Sequence, residues 1–225
     1  MNSKSKNLYI ASAVLFVLFV VFTLMVKYID VAPIGPENSS VGFSTLNGAI
    51  ASKLPLNMTF YKISSILGYL GIATMLVFAL FGVMQLIIKK DIRKVDKDII
   101  GLGLFYVVML LTYIFFEKVI INYRPVILDE GLEASYPSSH TMLAIGFLTV
   151  AICQFSARLK NKTTRTVVNI LCLVVLIGLI ITRTLSGVHW FTDILGAVLI
   201  SEAWALLYVG SFILILDKNK KKKQR

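Results

Sequence analysis

Long apolar segments separated by short polar clusters dominate this chain. A helix needs about 20 mostly apolar residues to cross the hydrocarbon of a bilayer. Six segments approach that length, at residues 8–29, 63–88, 99–116, 141–157, 167–182 and 194–216. The strict alternation that is typical of a transmembrane barrel does not occur. The pattern predicts an all-α bundle of six transmembrane helices, forming a single polytopic domain over residues 1–225.

Composition supports a membrane protein. Hydrophobic residues make up 57% of the sequence, which excludes a soluble globular domain because its surface would need more polar residues. The first apolar run is longer than the core of a cleavable signal peptide, so it is predicted to remain as a span. Cys153 and Cys172 fall inside predicted spans, where they are expected to act as small apolar residues rather than disulfide partners or zinc ligands.

The distribution of charge predicts the topology. A net charge of +11 is compatible with nucleic-acid binding, but a cytoplasmic N-terminus would place 17 of the 23 Lys and Arg residues on the inner side. We therefore predict a multi-pass protein of the cell membrane with both termini cytoplasmic, and no nucleic-acid partner. The lysine run Lys220–Lys223 is expected to lie near anionic lipid headgroups.

The polar clusters all fall on the predicted outer side. They lie in a long loop at residues 30–62, a second at 117–140 and a tight one at 183–193. Residues 43–60 of the first loop are weakly amphipathic, which fits either an interfacial helix or an irregular loop. Lys118, Arg124 and Arg183 supply half of the six cations on that side, against the positive-inside trend. Their presence indicates an anionic ligand.

The second loop ends in a motif that suits phosphate binding. If the fourth span begins at Pro137, the N–H groups of Ser138, Ser139 and His140 are free at the positive end of a helix dipole. A helix start with a polar cap is the structural alternative, and it is favoured when this motif is considered alone.

The tight loop holds a histidine and a carboxylate at helical spacing. His189 and Asp193 are four residues apart, which on a helix brings the carboxylate beside the imidazole and frees the other ring nitrogen as a nucleophile or base. A polar pair capping the last span is the alternative. Arg124 and Arg183 add planar, permanently charged groups that suit bidentate phosphate oxygens.

Together these motifs resemble the type 2 phosphatidic acid phosphatase (PAP2) superfamily. The family pattern is a Lys followed six residues later by Arg-Pro, then Pro-Ser-Gly-His, then Ser-Arg with five residues to His and three more to Asp. This chain matches at Arg124-Pro125, at 137–140 and at Arg183, His189 and Asp193. The resemblance covers about residues 63–210.

The resemblance implies a role for each matching residue. His189 would attack phosphorus and become a phosphohistidine, Asp193 would orient it, and His140 would protonate the leaving oxygen and then activate water. The phosphate would be held by Arg124, Arg183, Ser138, Ser139 and Lys118. No cofactor and no metal is implied, since the arginines supply the positive charge.

Three positions depart from the family pattern. The family lysine aligns with Glu117, and Lys118 lies one residue late, about 100° around a helix. Lys118 is preferred because a carboxylate would repel the substrate. Ser139 replaces the motif glycine, and Thr182 replaces the serine before Arg183.

The implied function is hydrolysis of a lipid phosphate or pyrophosphate on the extracytoplasmic face of the membrane. Undecaprenyl pyrophosphate, phosphatidylglycerophosphate and phosphatidic acid are candidate substrates. Transfer of phosphate to a second lipid, a catalytically inactive lipid-binding relative and a six-helix transporter are alternatives. Transporters tend to place polar groups near the bilayer midplane. Here only Glu202 lies deep within a predicted span, where it fits either a packing element or the wall of a headgroup cleft.

Overall fold

Six long α-helices, one short α-helix and two short 3-10 helices, Pro36–Asn38 and Ile92–Lys94, make up the regular structure of the described residues. The computed structural model describes residues 3–128 and 131–223, with side chains up to residue 217. The α-helices are α1 Ser3–Tyr28, α2 Ser44–Ala51, α3 Met58–Lys89, α4 Lys97–Lys118, α5 Ser139–Arg158, α6 Lys162–Leu185 and α7 Phe191–Lys223. All except α2 are long and apolar enough to cross a membrane. This confirms the predicted all-α, six-span fold, while the interaction predicted for Lys220–Lys223 lies outside the described side chains.

Each spanning helix is longer than its apolar segment, and in α3 and α6 an asparagine side chain caps the extended N-terminus. The Asn57 side chain accepts hydrogen bonds from the N–H groups of Thr59 and Phe60, so α3 begins five residues before the predicted span. Asn161 caps α6 in the same way through Thr164 N–H at 2.9 Å. Hydropathy therefore locates the spans, and capping chemistry sets their ends.

Helices α5 and α7 form the inner pair of the bundle, and α5 is the more buried of the two. Helix α7 packs against α1, α4 and α5, and α5 in turn packs against α3 and α6. Small residues allow close approach: a Cβ at Gly71 of α3 would lie 3.1 Å from the Cα of Ala144 on α5. The outward faces carry exposed apolar side chains, among them Val17, Leu80 and Leu104. Such faces suit contact with lipid tails.

The loops gather at two ends of the bundle. Loops 29–57, 119–138 and 186–190 lie at one end, here named the site end, and loops 90–96 and 159–161 lie at the opposite end. The weakly amphipathic stretch at 43–60 is neither one interfacial helix nor an irregular loop. It contains α2, a turn and the start of α3.

Helix α2 is held against the start of α7 by polar contacts. The Asn47 side chain is buried and donates to Thr192 Oγ1 at 3.0 Å and to Gly42 O at 2.8 Å. Asp30 accepts hydrogen bonds from Thr45 N–H and the Ser44 hydroxyl at the beginning of α2, and these bonds lower the pKa of its carboxyl. The first loop therefore supports the region just before Asp193.

A polar network fastens the opposite end. Arg158 of α5 donates to Asp98 of α4 at 2.6 Å, and the buried Gln154 amide also donates to Asp98. Gln154 bonds Tyr208 of α7 as well. Lys89 of α3 pairs with Asp96 at 3.1 Å. Polar and charged side chains thus join four spanning helices, α3, α4, α5 and α7, at this end.

We predict that Asp98→Ala destabilises the protein by about 1–3 kcal/mol, because it removes the nearer carboxylate from the partly buried Arg158 cation and leaves only Asp96, at 3.8 Å. This is less than for a fully buried pair, since water reaches Arg158. The double variant Asp98→Ala/Arg158→Ala should lose less stability than the two single losses added together. Thermal unfolding in detergent checks this, with Glu37→Gln as an acid-to-amide control at an exposed position. A midpoint for Asp98→Ala equal to that of the control would contradict it.

Candidate active site

A buried arginine joins the two histidines of the chain. Arg183, in the last turn of α6, is fully buried. Its Nη2 lies 3.3 Å from Nε2 of His189 and 3.5 Å from Nδ1 of His140, which is in the first turn of α5. The structure thus brings together three predicted site residues from separate segments of the chain.

The guanidinium of Arg183 is supported on its other sides. Nη1 donates to the Ser64 hydroxyl at 3.3 Å, and the Tyr61 ring lies 5.0 Å from the guanidinium carbon in a cation–π contact. Both residues belong to α3, and neither is part of the sequence motifs. This support leaves the Nη2 edge directed toward the imidazoles.

A turn at Gly187 places His189 beside Arg183. Gly187 has φ +69°, and a Cβ there would lie 2.7 Å from Leu54 O, so a larger residue is disfavoured both by conformation and by space. Helix α7 begins only at Phe191. The expectation that His189 and Asp193 share one helix is therefore wrong, because the chain turns between them.

Asp193 nevertheless lies beside His189. It occupies the first turn of α7, where Oδ2 accepts the Trp190 N–H at 2.9 Å, as a capping carboxylate does. The same oxygen lies 3.7 Å from Nδ1 of His189, too far for a hydrogen bond. The capping alternative and the proximity to histidine both hold for this carboxylate.

Ser135 fills the gap between these two groups. Its hydroxyl lies 3.0 Å from Nδ1 of His189 and 2.5 Å from Oδ2 of Asp193. It precedes the Pro137 motif by two residues and is buried. Sequence reasoning missed it, because a single serine outside a spaced motif gives no signal. Only the three-dimensional meeting of the two loops identifies it.

The start of α5 differs from the predicted one. The helix begins at Ser139, two residues after Pro137. The Ser138 N–H donates to Asp193 O at 3.1 Å, and its hydroxyl lies 2.9 Å from Thr141 Oγ1. The expectation that this N–H is free is therefore wrong. The N–H groups of Ser139 and His140 remain in the first turn, where a helix offers them no acceptor.

Arg124 is held in the 119–138 loop by a carboxylate. Its Nε lies 2.8 Å from Oε2 of Glu133, and its N–H donates to the Glu133 carbonyl. The Trp190 indole N–H donates to Tyr123 O at 2.7 Å, which ties this loop to the one that carries His189. The charge of Arg124 acts electrostatically on His189 from the second loop.

Burial and surrounding cations hold His189 in its neutral form. Burial is the largest cause that lowers the pKa of His189 well below its ordinary 6.5, followed by the charges of Arg183, Arg124 and His140. A neutral imidazole keeps a lone pair on one ring nitrogen. The arrangement therefore suits a nucleophile or base that stays unprotonated at neutral pH.

Two comparisons relate this chain to known proteins. Residues 115–214 match the profile of the PAP2 superfamily. This region is therefore similar to that superfamily, and the match covers less than half of the 225 residues. A sequence comparison with curated proteins gives no match.

A solved structure shares the fold. It is a transmembrane PAP2-type phosphatidylglycerolphosphate phosphatase from Bacillus subtilis, with a TM-score of 0.57 and 20% identity over 90% of this chain and 94% of the other. At this identity the likeness shows the fold. The PAP2 region contains every residue discussed above from the second loop onward.

The first PAP2 motif departs from the family pattern in three dimensions as well. Glu117 lines a small cavity together with Ser135 and Ser139 and interacts electrostatically with Arg124. The Lys118 side chain is exposed, and none of the hydrogen bonds or ion pairs found for residues 3–128 and 131–217 joins it to the cluster. The position of the family lysine is thus occupied by a carboxylate.

Two further polar residues of the PAP2 region lie apart from the cluster. The Thr182 hydroxyl donates to Gly178 O within its own helix. Glu202 is half-buried within α7 and accepts a hydrogen bond from Thr149 on α5 at 3.1 Å. These contacts agree with packing roles.

We predict that His189 remains neutral as pH falls through 6.5, because protonation would add a buried cation beside Arg183. Arg183→Gln removes the nearest cation, so the pKa of His189 should rise toward its ordinary value. Nitrogen NMR of protein labelled only in histidine checks this, with His140→Asn used to assign the two imidazoles. Titration of wild-type His189 at or above pH 6.5 would contradict the prediction.

Proposed function

We propose that this protein is an integral-membrane lipid phosphatase that hydrolyses a lipid phosphate or pyrophosphate through a phosphohistidine intermediate. The observation that carries the proposal is the buried Arg183 guanidinium placed between two imidazoles. One cation that contacts both a nucleophile and an acid–base group can hold a phosphoryl group between them. The PAP2 match and the shared fold support this assignment.

The position of the cluster supports a lipid substrate. His140, Arg183 and His189 all lie at the ends of spanning helices or in the loops between them. A phosphate ester at the level of the headgroups could reach this cluster while its chains stay among the exposed apolar helix faces. The positive-inside distribution favours an extracytoplasmic site end.

In the first step, Nε2 of His189 attacks phosphorus. His140, which takes up a proton as the anionic phosphate binds, is the acid of this step. An N–P bond forms, the bond from phosphorus to the leaving oxygen breaks, and His140 gives its proton to that oxygen. Phosphate oxygens accept hydrogen bonds more strongly than a neutral imidazole does. The arriving substrate would thus draw the Arg183 N–H away from His189 and uncover the lone pair that attacks.

In the second step, water releases the phosphate. His140, now neutral, takes a proton from water as its oxygen attacks phosphorus, and the N–P bond breaks. Inorganic phosphate leaves, His189 is neutral again and His140 is protonated for the next cycle. Asp193 stabilises the positive charge that His189 carries while the N–P bond exists.

The charge needed by the transition state would come from the chain itself. Arg183 and Arg124 would bind the equatorial oxygens, and Arg124 would leave Glu133 to do so. The first-turn N–H groups of α5 and the Ser138 hydroxyl would complete the phosphate cradle with Ser139. Lys118 is retained as a cation at the rim, and no metal is needed in this scheme.

A panel of lipid phosphates assayed with purified protein in detergent tests the proposal. Undecaprenyl pyrophosphate, phosphatidylglycerophosphate and phosphatidic acid would each be supplied with chelator and without added metal, and free phosphate would be measured. Release from at least one lipid is expected. Loss of lipid phosphate without free phosphate would favour transfer to a second lipid instead.

We predict that His189→Ala lowers kcat by about 10³-fold or more, because removal of a nucleophile eliminates the covalent route. Brief reaction of the wild type with labelled substrate should leave an acid-labile label on the peptide that contains His189, and the variant should carry none. Ser201→Ala, a buried serine that bonds only its own helix, is the control for folding. Turnover at the wild-type rate in His189→Ala would refute the mechanism.

We predict that Glu117→Lys combined with Lys118→Val raises kcat/KM several-fold, chiefly through a lower KM. The exchange replaces a carboxylate near Arg124 with a cation that faces the phosphate. Lys118→Val alone is the matched control and should lower kcat/KM slightly. If the exchange lowers kcat/KM as much as the control does, the native Lys118 already reaches the phosphate.

A further inference from the structure

We propose that Ser135 is a positioning residue whose hydroxyl links His189 to Asp193 and fixes the proton of His189 on Nδ1. This deepens the proposed function and rests on it for its catalytic consequence. The hydrogen-bonded arrangement itself rests only on the distances between these three side chains. Ser135 Oγ lies 3.0 Å from Nδ1 and 2.5 Å from Oδ2, whereas the direct distance from nitrogen to oxygen is 3.7 Å.

The donors and acceptors around His189 allow a single assignment when its ring is neutral. Arg183 can only donate, so the Nε2 atom that it approaches at 3.3 Å must carry the lone pair. The ring proton is then on Nδ1, and the Ser135 oxygen must accept it. When Asp193 is ionised, its carboxylate can only accept, so the hydroxyl proton of Ser135 donates to Oδ2 at 2.5 Å.

Ser135, the middle of this link, is held in place by neighbouring contacts. The Ser135 N–H donates to Asn122 O at 2.9 Å, and the next residue, Tyr136, is buried with its hydroxyl 2.8 Å from Thr23 on α1. Gly196 makes room for the Tyr136 ring, because a Cβ there would lie within 2.7 Å of it. The hydroxyl of Ser135 is therefore held in place by its own backbone and by the adjacent ring.

The link has a consequence for catalysis. When Nε2 bonds to phosphorus and the P–O bond breaks, the imidazole becomes positive and keeps its proton on Nδ1. That proton is donated to the Ser135 hydroxyl, which in turn donates its own proton to the Asp193 carboxylate. The negative charge of Asp193 therefore stabilises the positive imidazole through Ser135. Without the Ser135 hydroxyl, the Nδ1–H loses its link to the Asp193 carboxylate, which lies 3.7 Å away, and keeps only the hydrogen bond with the Ser135 backbone, so the ring is freer to change tautomer.

Kinetics separate this role from simple support of the loop. Ser135→Ala should lower kcat about 10- to 100-fold, the loss seen when an orienting partner of a ligand histidine is removed in metal sites. KM should change little, since Ser135 does not touch the phosphate. Ser201→Ala, which removes an equally buried hydroxyl outside the site, should leave kcat unchanged. Unchanged kcat in Ser135→Ala would overturn the proposal.

A double-variant cycle tests whether Ser135 acts through Asp193. If the two groups form one chain, Ser135→Ala should have little further effect on kcat in an Asp193→Asn background. Full, multiplied losses in the double variant would mean that the two residues act independently, and the proposed link would be overturned.

The tautomer of His189 can be read without any turnover. The chain has only two histidines, so nitrogen NMR of histidine-labelled protein resolves both rings. Wild-type His189 should be protonated on Nδ1 and not on Nε2, and Ser135→Ala should populate the other tautomer. A proton on Nε2 in the wild type, or the same tautomer in the variant, overturns the proposal.

The two readouts distinguish failure of the inference from failure of the proposed function. If no lipid phosphate is hydrolysed but the tautomer changes in Ser135→Ala, the link stands and the phosphatase assignment fails. If lipid phosphate is hydrolysed and both kcat and the tautomer are unaffected by Ser135→Ala, the phosphatase assignment stands and the link fails.

Discussion

The burial of the Arg183 guanidinium is the constraint on which the candidate site depends. A cation removed from water is strongly unfavourable unless its donors find acceptors. Here the acceptors are the Ser64 hydroxyl, the face of Tyr61 and two imidazole nitrogens, none of which carries a formal negative charge when the histidines are neutral. The guanidinium is thus partly satisfied and still lacks an anion. In the proposed function, a phosphoryl group adds the negative charge that these neutral acceptors do not carry.

The rest of the fold holds the side chains of the candidate site at fixed positions relative to one another. Helices α3, α5 and α6 bring Ser64, His140 and Arg183 to one end of the bundle, and packed loops deliver the remainder. The opposite end is fastened by the network around Asp98, so the helix ends at the site are not free to splay. Rigid elements with a fixed second layer of contacts are what a preorganised electrostatic site requires.

Much of the fold is predictable from sequence, because a helix that crosses the bilayer needs about 20 mostly apolar residues. Apolar length predicts the six spans, and the structure brings His140, Arg183 and His189 together near the span ends, whereas Lys118 stays apart. Three details depended on tertiary contacts that spacing does not encode. Gly187 turns the chain before α7 and removes His189 from the helix; the Ser138 N–H finds Asp193 O; and Ser135 is positioned by Asn122 and Tyr136 from different segments. The register of Lys118 follows from the helical rotation of α4, which hydropathy does not determine.

In the proposed mechanism, the Arg183 guanidinium exchanges its contacts with the two imidazoles for contacts with the phosphoryl oxygens when His189 acts as the nucleophile. A structure of the protein with orthovanadate, which mimics the five-coordinate transition state, tests this most directly. The account predicts vanadium bonded to Nε2 of His189, with Arg183 moved onto the equatorial oxygens and His140 beside the opposite apical oxygen. Vanadate bonded to His140, or bound with Arg183 still donating to His189, would contradict it.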